Sequence, residues 1–366
     1  MTRSPLPQRQ SLVAQTAAFL AERIAAGEWR DWLPGERTLC DLLQVSRNTL
    51  RAALARLARE GRVRAEHGAG HRILVAAPRE AVRAATDVAL LAPEPIERLR
   101  PNQNLWIDDL RALLSERGVK LRVFHGRAYY GAGAGPALRK LVTRHPHGCW
   151  VLLLASETMQ RWFAAHRVPC VLAGSPYPGI DLPFRDLDHR AMCRHAAGVL
   201  LGLGHRRITL LAPRAKRAGD LASEAGFLEA VRQSRCTDVA AAILHHDESV
   251  ASAAETARRL VRQRPRPTAL VTVHPYFHLA VATRLQQLGV RVPADLAMIS
   301  RDDDPFLAFL SPVPARYVAG PHPFARSLLR PVLELLAGGA VSARVGWIMP
   351  EFHRGETIGP PPAAGS

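Results

Sequence analysis

The chain has 366 residues, 48% hydrophobic and 22% charged, the profile of a folded protein of about two or three domains at roughly 100–200 residues each. Basic residues number 49 against 32 acidic ones, a formal net charge of +17, and all but Lys120, Lys140 and Lys216 are arginine, which points to a polyanion partner or to arginine-rich coding. The longest apolar run, 149–155, is far short of the ~18 residues of a membrane helix, and no apolar stretch of a signal peptide follows the opening MTRSPLPQRQ. Cys40, Cys149, Cys170, Cys193 and Cys236 form no C-x-x-C pair, so reduced thiols in a cytoplasmic protein with no membrane partner are expected, not a disulfide framework or zinc module.

In chain order, a first helix is expected over about 8–26, where Val13, Ala17, Leu20 and Ile24 share one face and Gly27 follows as a stop. After the turn Leu33-Pro34-Gly35, a short second helix covers about 37–43. Ser46 is then a suitable N-cap for a third helix, its hydroxyl able to accept from an otherwise unpaired amide. Leu50, Ala53, Leu54 and Leu57 of that helix face inward, and Asn48, Arg51, Ala52 and Ala55 outward, with Arg47 at its start. Long donors among small residues at an exposed helix N-terminus suit a DNA major groove. Residues 62–75 read as two strands around a tip at His67-Gly68-Ala69-Gly70, so the segment makes three helices and a basic ribbon, a winged helix. Residues 45–75 hold seven arginines against two glutamates. A polar stretch, 77–86, reads as a linker. Beyond it apolar runs (87–92, 119–124, 149–155, 168–173, 207–212, 240–245, 269–273, 296–300) alternate with helical patterns (105–117, 191–203, 221–233, 251–263, 276–288). That alternation predicts an α/β domain with parallel sheets covered on both faces.

Positions 33–75, LPGERTLCDLLQVSRNTLRAALARLAREGRVRAEHGAGHRILV, resemble the DNA-binding domain of the GntR family of bacterial regulators. The resemblance implies that Arg37 reaches a phosphate or base edge, that Arg47, Thr49 and Arg51 read or clamp the major groove, and that Gly68, Gly70 and His71 shape the wing beside the minor groove. Ser46, Asn48 and Arg72 complete the expected DNA-binding set. Gly35 stands where the family usually has Ser, and Cys40 where it has Ala.

The remainder, 87–357, resembles LacI-type effector domains of the periplasmic-binding-protein fold. The likeness rests on Asp188 with Leu203-Gly204-His205-Arg206-Arg207-Ile208, on Gly226-Phe227-Leu228-Glu229-Ala230, on 288–303, and on Pro350-Glu351-Phe352 with Arg354-Gly355-Glu356-Thr357. It implies two α/β lobes, three crossovers and a ligand in the cleft outside the carboxyl ends of the strands. Asp302 matches the carboxylate that accepts from a sugar hydroxyl. Customary sugar contacts are changed: His274 stands for Asn, Pro275 for Asp, Leu221 for an arginine fork and Gly174 for an Asp. The polar candidates for an effector are then Glu94, Asp220, Ser223, Glu224, His274, Arg301 and Asp302.

A metal is not expected. Three adjacent carboxylates, Asp302-Asp303-Asp304, diverge in most backbones, and His245 and His246 point to opposite faces of a strand. No nucleophile elbow, P-loop or dinucleotide glycine motif is present, so neither a cofactor nor an enzyme is expected. The expected architecture is a winged helix-turn-helix domain (6–76), a linker (77–86), a two-lobed α/β periplasmic-binding-protein-like domain (87–357) and a disordered tail (358–366). The expected function is a cytoplasmic, ligand-responsive repressor acting as a homodimer on a double-stranded operator, with a sugar as one candidate effector. A solute-binding protein for uptake is the alternative.

Overall fold

The computed structural model describes residues 12–25, 29, 32–66, 70–74, 87–215 and 217–363. The chain divides into two compact units, Met1–Ala84 and Ala85–Ser366. The expected linker, Gly68 at the ribbon tip and the first residues of the first helix lie outside the described residues.

The first unit holds α1 (Leu12–Ala25), α2 (Glu36–Leu43) and α3 (Arg47–Arg59), then β1 (Val63–Glu66) and β2 (Gly70–Ile73) paired antiparallel. α2 stops at Gln44, whose left-handed φ of 50° lets its amide close on the Cys40 carbonyl and turns the chain into α3. Leu20, Leu39, Leu50, Leu54 and Leu57 form a buried core, which Val63 and Ile73 extend from the ribbon. The inward face expected for α3 is therefore the one that is buried. The ribbon gains a contact absent from the sequence reading: Trp32 bridges Arg72, and the Leu33 amide donates to the His71 carbonyl at 2.9 Å.

The second unit contains two sheets. The first lobe has β3 (Val88–Ala92), β4 (Leu121–His125), β5 (Cys149–Leu153), β6 (Cys170–Ala173), β7 (Phe184–Leu187) and β13 (Trp347–Ile348), all parallel in the order β13-β7-β6-β5-β3-β4. The second has β8 (Arg207–Pro213), β9 (Ala240–His246), β10 (Ala269–Thr272), β11 (Ala297–Ser300), β12 (Ala315–Val318) and β14 (Glu351–His353), ordered β14-β12-β11-β10-β8-β9, with only β14 antiparallel. Every residue of β3 and β5 is buried, as continuous apolar strands with helices on both faces require. The covering helices are α4 (Pro101–Ser115), α5 (Gly135–Arg144), α6 (Glu157–Ala165), α7 (His189–Gly202), α8 (Ala218–Gln233), α9 (Val250–Arg262), α10 (Pro275–Gln287) and α11 (Pro321–Leu336).

The chain passes between lobes three times: from β7 into α7, from β12 into α11, and from β13 into β14. α11 returns to the first lobe, where Ala325, Leu328 and Val332 pack with Trp106, Ile107 and Leu110 of α4. α7 and α8 lie close enough that a Cβ at Gly226 would overlap the Arg190 carbonyl. One expectation is corrected. The free tail does not begin at 358: Ile358 is buried, and the Gly359 carbonyl meets His205 Nε2 at 2.9 Å. The segment is tied down because His205, itself buried, needs that acceptor.

Candidate functional site

In the first unit, Ser46 caps α3. Its Oγ accepts from the Thr49 amide at 3.2 Å and lies 2.9 Å from Thr49 Oγ1. Arg47 and Asn48 follow on the first turn, both exposed. Ala52 and Ala55 are exposed beside them and keep that face low. Arg51 is exposed but engaged: its Nε sits 3.0 Å from Glu36 Oε2 across the α2–α3 turn. Such an exposed pair is worth little and yields readily to a competing anion. Arg37 is exposed on α2. On the ribbon Gly70 takes a φ of +103°, a conformation that favours glycine. Half-buried His71 and exposed Arg72 follow it, Arg72 3.6 Å from Glu66. Arg56 and Arg62 both pair with Glu60.

In the second unit a cavity of about 420 Å³ opens between the lobes. Its centre is a chain of charges. Arg301, at the end of β11, is buried; its Nε donates to Asp302 Oδ1 at 2.7 Å, and its Nη1 to Ser223 Oγ at 2.8 Å and Asp220 Oδ1 at 3.2 Å. Burial opposes the guanidinium charge, but Asp302 and Asp220 hold its pKa above the ordinary value. Asp302 Oδ2 accepts from Arg100 Nη1 of the first lobe at 3.1 Å. Burial would raise the Asp302 pKa; Arg301 and Arg100 instead hold it well below the usual carboxylate range. Asp220 is raised, by burial above all, against the pull of Arg301 and Arg217.

A second cluster stands at the first crossover. Asp186 on β7 accepts from Ser175 Oγ at 2.6 Å and from the Leu187 amide at 2.8 Å, and lies 3.3 Å from His189 Nε2. Burial opposes its charge, and the His189 ring and these donors lower its pKa. Among the described residues, three buried polar atoms of cavity-lining side chains have no hydrogen-bond partner: Asp220 Oδ2, His189 Nδ1 and His274 Nδ1. Burial, followed by Arg100, pulls His274 down to about 3. A buried acceptor and two imidazole nitrogens left open are what a hydrogen-bonding ligand would satisfy.

The structure thus brings Asp220, His274, Arg301 and Asp302 together, with Glu94 at the rim. Glu94 is engaged by Arg127 at 2.6 Å. Ser223 and Glu224 do not line the cavity. One turn along α8 from Asp220, Ser223 lies beneath Arg301, and Glu224 turns out to His245 Nε2 at 2.8 Å. Asp302 lines the cavity with each of its oxygens already accepting from an arginine, Oδ1 from Arg301 and Oδ2 from Arg100. Arg100, Ser175, Asp186 and His189 were not anticipated. Their only sequence signal is that Asp186 and His189 flank Asp188, where the first crossover begins.

Residues 12–73 match the bacterial regulatory proteins of the gntR family, and residues 197–358 match the periplasmic binding protein-like domain. Among similar proteins, the HTH-type transcriptional regulator reg1 of Streptomyces lividans is 28% identical over 56% of this chain and 61% of its own length. MalR of Streptomyces coelicolor is 28% identical over 56% of this chain and 60% of its own. The chain thus spans about three fifths of the length of these regulators. A LacI family transcriptional regulator from Bifidobacterium animalis superposes with a TM-score of 0.65 at 21% identity, covering 76% of this chain and 99% of that one. A CelR–cellobiose complex gives 0.64 at 19% identity, covering 96% and 100%. The chain thus carries a segment similar to gntR-family regulators and, in its second unit, a segment similar to the periplasmic binding protein-like domain, whose fold the solved LacI family structure shares.

Proposed function

We propose that this protein is a DNA-binding transcriptional regulator, a repressor whose second unit binds a small effector. The reading rests on one combination. An exposed helix start capped by Ser46 and carrying Arg47 and Asn48 shares a chain with a two-lobed domain whose cavity exposes unpartnered buried polar atoms. A solute-binding protein for uptake has no use for the first of these. The β1–β2 ribbon acts as the wing, with Gly70, His71 and Arg72 beside the minor groove. α3 enters the major groove, where Arg47 grips a base edge and Arg37 and Arg51 hold phosphates. The protein works in the cytoplasm without a cofactor or catalysis. It acts as a homodimer, because two half-sites of a pseudo-palindromic operator need two copies.

The effector is a hydroxylated molecule of modest size. Asp220 Oδ2 accepts one of its hydroxyls, and His189 and His274 supply further contacts. A sugar fits that chemistry, and the CelR relative is a cellobiose complex. Operator sequences selected by the full chain from a random DNA pool test the reading. Arg47→Ala should lower affinity for the selected operator by about 1–3 kcal/mol while sparing nonspecific binding; a pool that never enriches would remove the DNA-binding function. Sedimentation of the full chain at micromolar concentration should give a dimer, and a monomer there would remove the two-half-site arrangement.

A further inference from the structure

The two lobes of the second unit are bridged by groups that the chain itself supplies. Arg100 precedes α4 in the first lobe. Its position is fixed: Pro101 opens the helix, and the Arg100 amide donates to Gln103 Oε1 at 3.1 Å. From there Nη1 reaches Asp302 Oδ2 of the second lobe, 202 residues along the chain. The side chains are only 25% and 11% exposed, so this is not a loose surface pair. Asp302 is in turn rigid, because Arg301 holds its other oxygen and is itself anchored on Asp220 and Ser223. One more contact accompanies the pair. Tyr177 of the first lobe meets the Ala218 amide at the start of α8.

Each Asp302 oxygen already accepts from an arginine, so a ligand hydroxyl donating to Asp302 would share its oxygen with a guanidinium. A charge-assisted bond to a guanidinium is roughly twice as strong as a neutral one. Removing it without replacement leaves opposite charges half out of water. A neutral hydroxyl is therefore a poor competitor for this carboxylate, although it is well suited to the open oxygen of Asp220.

We propose that Arg100 is a latch between the lobes: its bond ties Asp302 of the second lobe to the start of α4 in the first and resists opening of the cleft. A ligand then binds on Asp220 beside the latched pair, or it breaks the latch and opens the lobes. The proposal rests on the proposed function only in treating this cleft as the effector site; the latch itself is a property of the second unit.

Hydrogen exchange of the full chain, read by mass spectrometry with no small molecule added, tests it. Arg100→Gln should raise exchange roughly tenfold or more in peptides of both lobes that face the cleft, at 100–106 and, across it, at 217–221 and 300–304. Peptides of α3 and of β5 should stay as in the wild type. Should Arg100→Gln not fold, Arg100→Lys, which keeps the charge but loses the fork, should show a smaller rise at the same places. Exchange unchanged, or raised only around position 100 with the second lobe unaffected, would overturn the latch. A mobility shift of the wild type with selected operator runs beside it. Its failure would remove the regulator reading and leave the exchange result to decide the latch.

Discussion

Asp302, Asp303 and Asp304 are adjacent in sequence and share no partner. Asp302 is held by Arg301 and Arg100 and Asp303 by Arg316 at 2.8 Å, while both oxygens of buried Asp304 lack a hydrogen-bond partner among the described residues. Asp302 and Asp303 keep their charges because arginines hold them, whereas burial without a hydrogen-bond partner pushes the Asp304 carboxyl up. The consequence for Asp302 is structural before it is functional. Asp302→Ala would leave Arg301 buried with Asp220 as its one remaining carboxylate and strip Arg100 of its partner. The expected cost is about 3–5 kcal/mol of stability, as for one half of a buried pair removed. A urea titration followed by circular dichroism reads it, and a midpoint equal to the wild type would show that the arginines find other partners. The residues around Asp302 were half legible in sequence. Asp220, His274 and Arg301 sit at strand or helix ends, where the fold places a cleft. Arg100 has no such mark: it is one arginine among 46, and only the closure of two lobes brings it to Asp302.

α3 illustrates the opposite case, an element legible from end to end. A capping serine, apolar residues at helical spacing and glycine after the last turn are local signals, and the structure uses all of them. Ser46→Ala removes the acceptor of the Thr49 amide and should destabilise the first unit by about 0.5–2 kcal/mol. It should also weaken operator binding, because Arg47 and Asn48 ride on that turn. Thermal unfolding and a mobility shift measure the two effects; a full-strength shift with an unchanged melting point would show that the cap is dispensable. α11 hid itself for an equally physical reason. It carries Pro321, Pro323 and Pro331, and an interior proline normally argues against a helix. Packing of its apolar face against α4 outweighs the lost hydrogen bond. β7 hid because Phe184-Arg185-Asp186-Leu187 reads as half charged. Arg185 is nonetheless buried, with its donors satisfied by the carbonyls of Phe184, Ser327 and Ala343.

At the scale of the whole molecule, the second unit concentrates buried imidazoles in its second lobe. His246 stacks on Phe277 with ring centroids 3.4 Å apart, His278 meets Thr272 Oγ1 at 2.9 Å, and His274 faces the cavity. Burial is the first cause in all three, and it lowers His246 and His278 to about 4 and His274 to about 3. An unfolded chain takes up these protons near pH 6.5, whereas the folded lobe refuses them until far lower pH. The sign follows: the unfolded state binds more protons below about pH 6.5, so stability is full above that value and falls as the pH drops towards about 4 and then 3. Each such histidine steepens the fall by up to about 1.4 kcal/mol per pH unit. Asp302 and Asp186, whose pKa values are also held low, add to the loss only once the pH passes below the ordinary carboxylate value of about 3.8. Between about pH 6.5 and pH 4 the lowered histidines, His147 and His205 included, drive the fall, and the raised carboxyls of Asp220 and Asp304, which take up protons more readily in the folded state, offset part of it. Urea midpoints measured from about pH 7.5 down to about pH 4.5 should decline steadily across that window, and His278→Asn should flatten the slope by one proton's share. A midpoint constant over that range would mean that the folded lobe takes up these protons as freely as the unfolded chain does.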